Sequence, residues 1–395
     1  MLATKSARLL IATSLSFAAL SGARAQAFTF TEIANTKTSD FTGFQATAIN
    51  DLGEVAFTAE AAGQLGIFQG DGGAIAPVVP FGAGLVDIEG IDFNSDGTVA
   101  FSDNSTPGLF TSDGNIITPI VTPATALGQL GFLPDAFSAP DINEAGSVAF
   151  QASDFGTGDL SLHLFEGNAI TTIAKSPGFD IFRFSLNNNN DVAFFAIAAV
   201  ADDGDAIFLR ESAGAPVPLP DPLGFGTIEG PTLNDGKAVA FDTLFLNDEA
   251  ESLQGIFIQD DADISLIVDT SGDFSTFTRP AINNAGALVF GAGLDNGDIG
   301  LFAGADPVSD RVIAIGDDFF GSTVTALSFT QQTGLNNLGQ FTFNANFADG
   351  SAGVYRADFE QDDAQAVPEP TSVLTLLAVG LMGLTSQQRR RREYS

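Results

Sequence analysis

Asn143-Glu144-Ala145-Gly146-Ser147-Val148-Ala149-Phe150 is one copy of a pattern, Asn-x-x-Gly-x-Val-Ala-Phe, that returns along this chain. A second copy runs from Asn50 to Phe57, with Gly53, Val55 and Ala56 in the same places. Seven copies are anchored by Asn50, Asn94, Asn143, Asn187, Asn234, Asn283 and Asn336. Their spacing of 44 to 53 residues is that of a repeat architecture.

Each copy has a local physical logic. An Asn opening a turn bonds nearby backbone through its side chain, and the Gly three residues later takes a left-handed conformation. The pattern therefore predicts a tight β-hairpin. Asn190 stands in the Gly place of copy four and tolerates the same conformation. Copy five has Lys237 there, with Gly236 one place early, so its turn is expected to differ. The residue before each Asn is apolar, from Ile49 to Leu335. After the turn, Val55 and Phe57 and their equivalents point one way and small residues such as Ala56 the other. A strand that is dry on both faces belongs to a sheet packed between two others.

A second strand follows in each copy and ends in an aliphatic-aromatic pair: Ile67-Phe68, Leu109-Phe110, Leu164-Phe165, Ile207-Phe208, Ile256-Phe257, Leu301-Phe302 and Val354-Tyr355. A β-branched run comes next, reduced in copy four to Pro216-Val217-Pro218-Leu219. With the strand before the Asn, each copy holds about four strands, the content of a propeller blade. Copy seven lacks its last strand. Phe30-Thr31-Glu32-Ile33-Ala34, near the other end, resembles Ile170-Thr171-Thr172-Ile173-Ala174 and can supply it. Such a closure removes the open sheet edges, whereas an open solenoid needs polar caps. The predicted fold is all-β, a seven-bladed β-propeller over residues 28–356 whose last blade is closed by the N-terminal strand.

Composition narrows the function. The 395 residues carry a net charge of −34, and seven of the 15 basic residues lie in the terminal segments. A body this acidic cannot displace counterions from a polyanion, which argues against nucleic acid as a partner. With no cysteine there are no disulfides, thiolate metal sites or cysteine nucleophile.

The two ends carry targeting information. Lys5 and Arg8 precede an apolar run, Leu9 to Leu20, and then small residues around Ala25-Gln26-Ala27. This is the layout of a secretory signal peptide over residues 1–27. An acidic linker over 357–370 ends in Val367-Pro368-Glu369-Pro370. An apolar segment, 371–388, is predicted to form a membrane-crossing helix. Arg389, Arg390, Arg391 and Arg392 open a basic tail, 389–395, that stays cytoplasmic. Pro-Glu-Pro, a hydrophobic helix and terminal arginines, in this order, resemble the PEP-CTERM sorting signal of bacterial surface proteins. The resemblance implies recognition and cleavage by an exosortase-type membrane protease, and delivery to the cell surface or extracellular matrix. The membrane is then met only through the C-terminal helix, before processing. Through Asn143, Gly146 and Phe150 the body also resembles tandem NxxGxxxxF-type repeat proteins, which carry no established activity.

No reaction is encoded in an obvious motif. His163, the single histidine, reads as an ordinary strand residue in the place held by Gly66 elsewhere. Asp202, Asp203 and Asp205, and likewise Asp260, Asp261 and Asp263, form oxygen-rich turns that are candidates for Ca²⁺, though none has EF-hand spacing. The residues read otherwise as cofactor-free. The absence of Trp, and a Tyr count of two, argue against sugar-stacking sites. The expected role is a non-catalytic scaffold or binding protein, with extracellular polysaccharide as a candidate partner. The alternative is an extracellular hydrolase or lyase using carboxylates at the mouth of the channel.

Overall fold

A computed structural model describes residues 28–359, apart from 85, 106, 177–178, 199–204, 213, 222–224, 226–227, 248 and 262. The signal peptide, the Pro-Glu-Pro motif, the apolar segment and the arginine tail predicted above lie outside the described residues. Among those described, no helix is long and apolar enough to cross a membrane.

Seven antiparallel sheets follow one another in the chain. Blade 1 shows the plan: Gly43–Ile49, Val55–Ala61, Gln64–Gly70 and Ala76–Val79, named A to D. The A-to-B connections are the Asn turns, and residues from all seven gather around one central cavity, so the A strands ring the axis. In blades 3 and 6 the A strand is split, as in Pro134–Phe137 and Asp141–Ile142. Blade 4 has a two-residue D strand, Val217–Pro218, as its proline-rich sequence predicts. One short helix, Pro123–Gln129, sits between blades 2 and 3 and was not legible in the repeat.

Blade 7 takes its fourth strand from the start of the chain. Phe28–Asn35 lies beside Ala352–Phe359, itself paired with Phe341–Phe347. Ile33 and Ala34 are buried, and the Asn35 amide reaches the Tyr355 hydroxyl at 3.2 Å. Lys37 also pairs with Asp349 across this junction.

The B strands are the dry interior. Val55, Ala56 and Phe57 have no exposed surface, nor do Val148, Ala149 and Phe150. Each motif Phe stacks on an aromatic ring across the B–C pair: Phe57 on Phe68, Phe101 on Phe110, Phe194 on Phe208, Phe241 on Phe257, Phe290 on Phe302 and Phe343 on Tyr355, at interplanar angles of 16–29°. In blade 3 the partner of Phe150 is His163, at 5.2 Å and 23°. The sequence reading had put His163 in a glycine place. The register corrects it by two residues: Phe150 faces His163, and Ser161 takes the place of Gly66. Leu164-Phe165 only mimics the aliphatic-aromatic pair, because the B–C pairing, with Ser153 opposite Leu160, puts His163 across from Phe150 and Phe165 across from Val148.

The turn of copy five is also corrected. Lys237 adopts φ +69°, beside +79° at Gly53 and +62° at Asn190, and its N–H returns to the Asn234 carbonyl like the glycines. A lysine costs about 1 kcal/mol more than glycine in this conformation. The Asn234 side chain and a 2.9 Å ion pair between Lys237 and Glu211 hold it there. If the N-terminal strand closes the ring, deleting Phe28–Asn35 exposes the core of blade 7. We expect it to cost about 5 kcal/mol or more, read as a fall in urea midpoint; an unchanged midpoint would refute closure.

Candidate functional site

The axial end carrying the Asn turns encloses a polar cavity of about 120 Å³, built in three tiers.

The first tier is the seven motif asparagines. Each is buried, between 2% and 8% exposed. Each Oδ1 accepts the backbone N–H four residues on, as at Glu54, Ser147 and Gln340. Each Nδ2 crosses to the next blade and donates to the backbone carbonyl of the next motif Asn. Asn50 bonds Asn94 at 3.3 Å, Asn94 bonds Asn143 at 3.3 Å, and Asn143 bonds Asn187 at 3.1 Å. Asn187 bonds Asn234 at 3.1 Å, and Asn234 bonds Asn283 at 3.2 Å. Asn283 bonds Asn336 at 3.0 Å, and Asn336 returns to Asn50 at 2.9 Å. The ring is closed and runs in one direction.

A second tier, at the rim, uses the residue after each Asn. The Glu144 N–H donates to Asn188 Oδ1, Asn188 to Asp235, Asp235 to Asn284, Asn284 to Asn337 and Asn337 to Asp51. Ser95 donates its N–H and hydroxyl to Glu144. The rim carboxylates Asp51, Glu144 and Asp235 are thus acceptors that join blades.

The third tier lies two residues before the Asn in blades 2 to 5, where Asp92, Asp141, Ser185 and Thr232 line the cavity. Asp92 Oδ2 accepts the Ile142 N–H at 2.7 Å, Asp141 Oδ2 accepts the Leu186 N–H at 2.7 Å, and Ser185 Oγ accepts the Leu233 N–H at 3.2 Å. Asp92 and Asp141 are buried neighbours that line the same cavity. Burial raises the Asp92 carboxyl to about 6 against its backbone bonds to Ile142 and Phe93. Burial, and then the charge of Asp92, hold Asp141 well above the ordinary carboxylate range. Sequence reasoning singled out neither residue. The available signal was positional: among the residues two before each motif Asn, only these two are acidic.

The other predicted residues stand apart from this cavity. Asp260 and Asp263 pair across the hairpin of blade 5, with Asp261 in its turn at φ +51°. Asp205 opens a C strand, and Asp202 and Asp203 lie outside the described residues. Among the described residues no three Asp, Glu, His or Cys side chains assemble into a metal-ligand group. His163 is buried, with Nε2 2.7 Å from Ser161 Oγ and Nδ1 3.2 Å from Thr172 Oγ1. Its Nδ1 partner is a hydroxyl, where a catalytic triad places a carboxylate. Burial lowers its pKa to about 4.

Residues 87–374 match the model of a family of unknown function, DUF7453, and residues 366–391 match the PEP-CTERM protein-sorting motif. That second match implies export with transient membrane anchoring. The match to the body is to DUF7453; in this chain three residues separate Gly146 from Phe150, one fewer than the NxxGxxxxF pattern has. A comparison with curated proteins found no match. Among solved structures, prolyl oligopeptidase B from Galerina marginata is 11% identical with a TM-score of 0.50, over 78% of this chain and 47% of that one. This chain therefore spans about half the length of the peptidase. YCF48 from Cyanidioschyzon merolae is 10% identical with a TM-score of 0.42, over 83% and 98% of the two chains. At these identities the likeness concerns the fold.

Two outcomes test the site. Replacing Asn283, a buried residue that makes three hydrogen bonds, by Ala should cost about 2–4 kcal/mol. The same change at exposed Asn284 should cost under about 1 kcal/mol. Equal effects in chemical denaturation would contradict the ring. For His163, the unfolded chain takes up a proton below pH 6.5 and the folded one only near pH 4. Its contribution to stability is therefore complete above pH 6.5 and lost as the pH falls toward 4. His163→Phe restores an aromatic stack. We expect it to remove about 2 kcal/mol of the stability loss between pH 7 and pH 5, measured by denaturation of both proteins at each pH.

Proposed function

The chain belongs to the DUF7453 family of unknown function, and from that premise we propose that it is an exported, surface- or matrix-sorted propeller acting as a non-catalytic scaffold or binding protein. The signal peptide carries it across the membrane. The C-terminal segment then anchors it until an exosortase-type protease cuts near Pro370. One observation carries the non-catalytic reading. The polar groups at the axial mouth, where a propeller enzyme would place its reacting side chains, are committed to bonds between blades. Asp51, Glu144 and Asp235 each accept bonds from a neighbouring blade. Polar groups already paired inside the protein have little to offer a substrate.

The turns at the opposite ends of the blades vary most in sequence. They include Ala61-Ala62-Gly63, Asp154 to Asp159 and Asn247 to Glu251, and they are the surface on which binding specificity can be written. Extracellular polysaccharide is the candidate partner, since delivery to a matrix places the protein among such polymers.

The second reading, a hydrolase or lyase, draws support from Asp92 and Asp141. They are two carboxyls converging in a cavity, one of them raised to about 6. Against it, each carboxyl is already bonded to a backbone N–H of the next blade, Asp92 to Ile142 and Asp141 to Leu186, so both serve the joints between blades.

Delivery is tested by mass spectrometry of the mature protein from its native host. We expect an N-terminus near Phe28 and a C-terminus near Pro370; retention of residues 371–395 would overturn the sorting reading. Function is tested by incubating the protein with extracellular polymer from the same host. Retention without new reducing ends supports the scaffold. Reducing ends that disappear in Asp141→Asn would establish the enzyme.

A further inference from the structure

The third tier is built unevenly around the axis. Where blade 4 meets blade 5, the acceptor for the Leu233 N–H is the Ser185 hydroxyl, which does not titrate. Where blade 2 meets blade 3, and blade 3 meets blade 4, the same duty falls to Asp92 and Asp141. These two are adjacent in the ring. Asp92 accepts the N–H of Ile142, the residue after Asp141, so the peptide that carries one carboxyl is fastened by the other.

Two neighbouring carboxyls that line one small cavity, both more than nine-tenths buried, favour keeping a proton between them. In the protonated state one O–H donates to the other carboxylate, and both remaining oxygens still accept their backbone N–H groups. Without that proton, two like charges share a small cavity. The charged groups facing it are all acidic: Asp51 from blade 1, Glu144 from blade 3 and Asp235 from blade 5. No Lys, Arg or His lines the cavity, and the groups contributed by blades 4, 6 and 7 are uncharged. Glu144 adds its own repulsion to Asp92. No cation is at hand to replace the proton.

We propose that Asp92 and Asp141 form a proton-shared latch that tightens the axial joint of blades 2, 3 and 4 in acid and loosens it as the pair ionises. The sign is opposite to that of His163. Carboxyls whose folded affinity for the proton is raised stabilise the fold fully at low pH; the share of Asp92 is lost as the pH rises through about 6, and that of Asp141, whose carboxyl the charge of Asp92 holds up, is lost after it. The loosened state releases the Ile142 and Leu186 N–H groups and opens the cavity at three of the seven blades. It leaves the blade 4–5 joint, with its hydroxyl, unaffected.

Hydrogen exchange on the intact purified protein tests this, with rates at pH 7.5 and pH 5 corrected for intrinsic chemistry. The expected result is protection of the Ile142 and Leu186 amides that is roughly tenfold higher at pH 5, with no such change at Leu233. Asp141→Asn keeps an acceptor for Leu186 and a donor for Asp92, so it should lock the joint and abolish the pH dependence. Should that variant fail to fold, Asp92→Asn makes the same prediction from the other side. Ser185→Ala should lower protection at Leu233 equally at both pH values. Protection at Ile142 and Leu186 that is independent of pH in the wild type overturns the latch. So does a pH dependence that survives in both Asp→Asn variants.

Discussion

The structure depends on one interaction repeated seven times: an asparagine amide that holds its own turn with one end and the next blade with the other. Oδ1 accepts backbone N–H groups within its turn, and Nδ2 donates to the following blade's carbonyl. An Asp would keep the acceptor and lose the donor, and a Ser could not span the distance between blades. Burial makes the requirement stricter, because an amide left unpaired in a dry interior costs 1–3 kcal/mol. Val, Ile, Leu, Phe and Ala supply the apolar burial, in clusters that join neighbouring blades. The asparagines fix how the blades are aligned about the axis.

Architecture was largely legible in the sequence, since it is written in periods. The Asn-Gly spacing gave the hairpin, the Val-Ala-Phe alternation gave a strand dry on both faces, and the missing strand of copy seven was found at Phe30 to Ala34. Single positions were harder to read. The left-handed Lys237 could not be foreseen from its own preference, because Asn234 and the neighbouring backbone impose the turn. His163 was displaced by two because Leu164-Phe165 imitates the consensus pair, while the B–C pairing decides the register. The structure then explains why a histidine is tolerated there. Ser161 and Thr172 hydroxyls meet its nitrogens in a place that elsewhere needs only a ring.

The axial cavity was the least legible feature. Seven asparagines had suggested turns, and nothing in one repeat says that its polar groups meet those of six others. Acidic residues are so abundant, at 49, that Asp92 and Asp141 had no distinction until the fold put them side by side. The oxygen-rich turns that did stand out, such as Asp260-Asp261, are hairpin ends, where Asp is a good turn former. Charge density in the sequence marked solvent-facing turns, while the unusual electrostatics arose from two acids in a nearly dry place.

The strand shared between the chain's two ends has a consequence in time. Phe28–Asn35 is the first strand of the propeller to be made, and its neighbour Ala352–Phe359 is the last. Six blades can assemble as their own residues appear, each from near-contiguous sequence. The seventh must wait for Ala352–Phe359, and the Asn336-to-Asn50 bond spans 286 positions. Contacts of that separation form slowly, because a long loop must close before they stabilise anything. Until then the nascent propeller is an open arc with two exposed sheet faces, and a product truncated before Ala352 lacks the strand that completes the circle. Closure thus requires that synthesis has passed the last propeller strand.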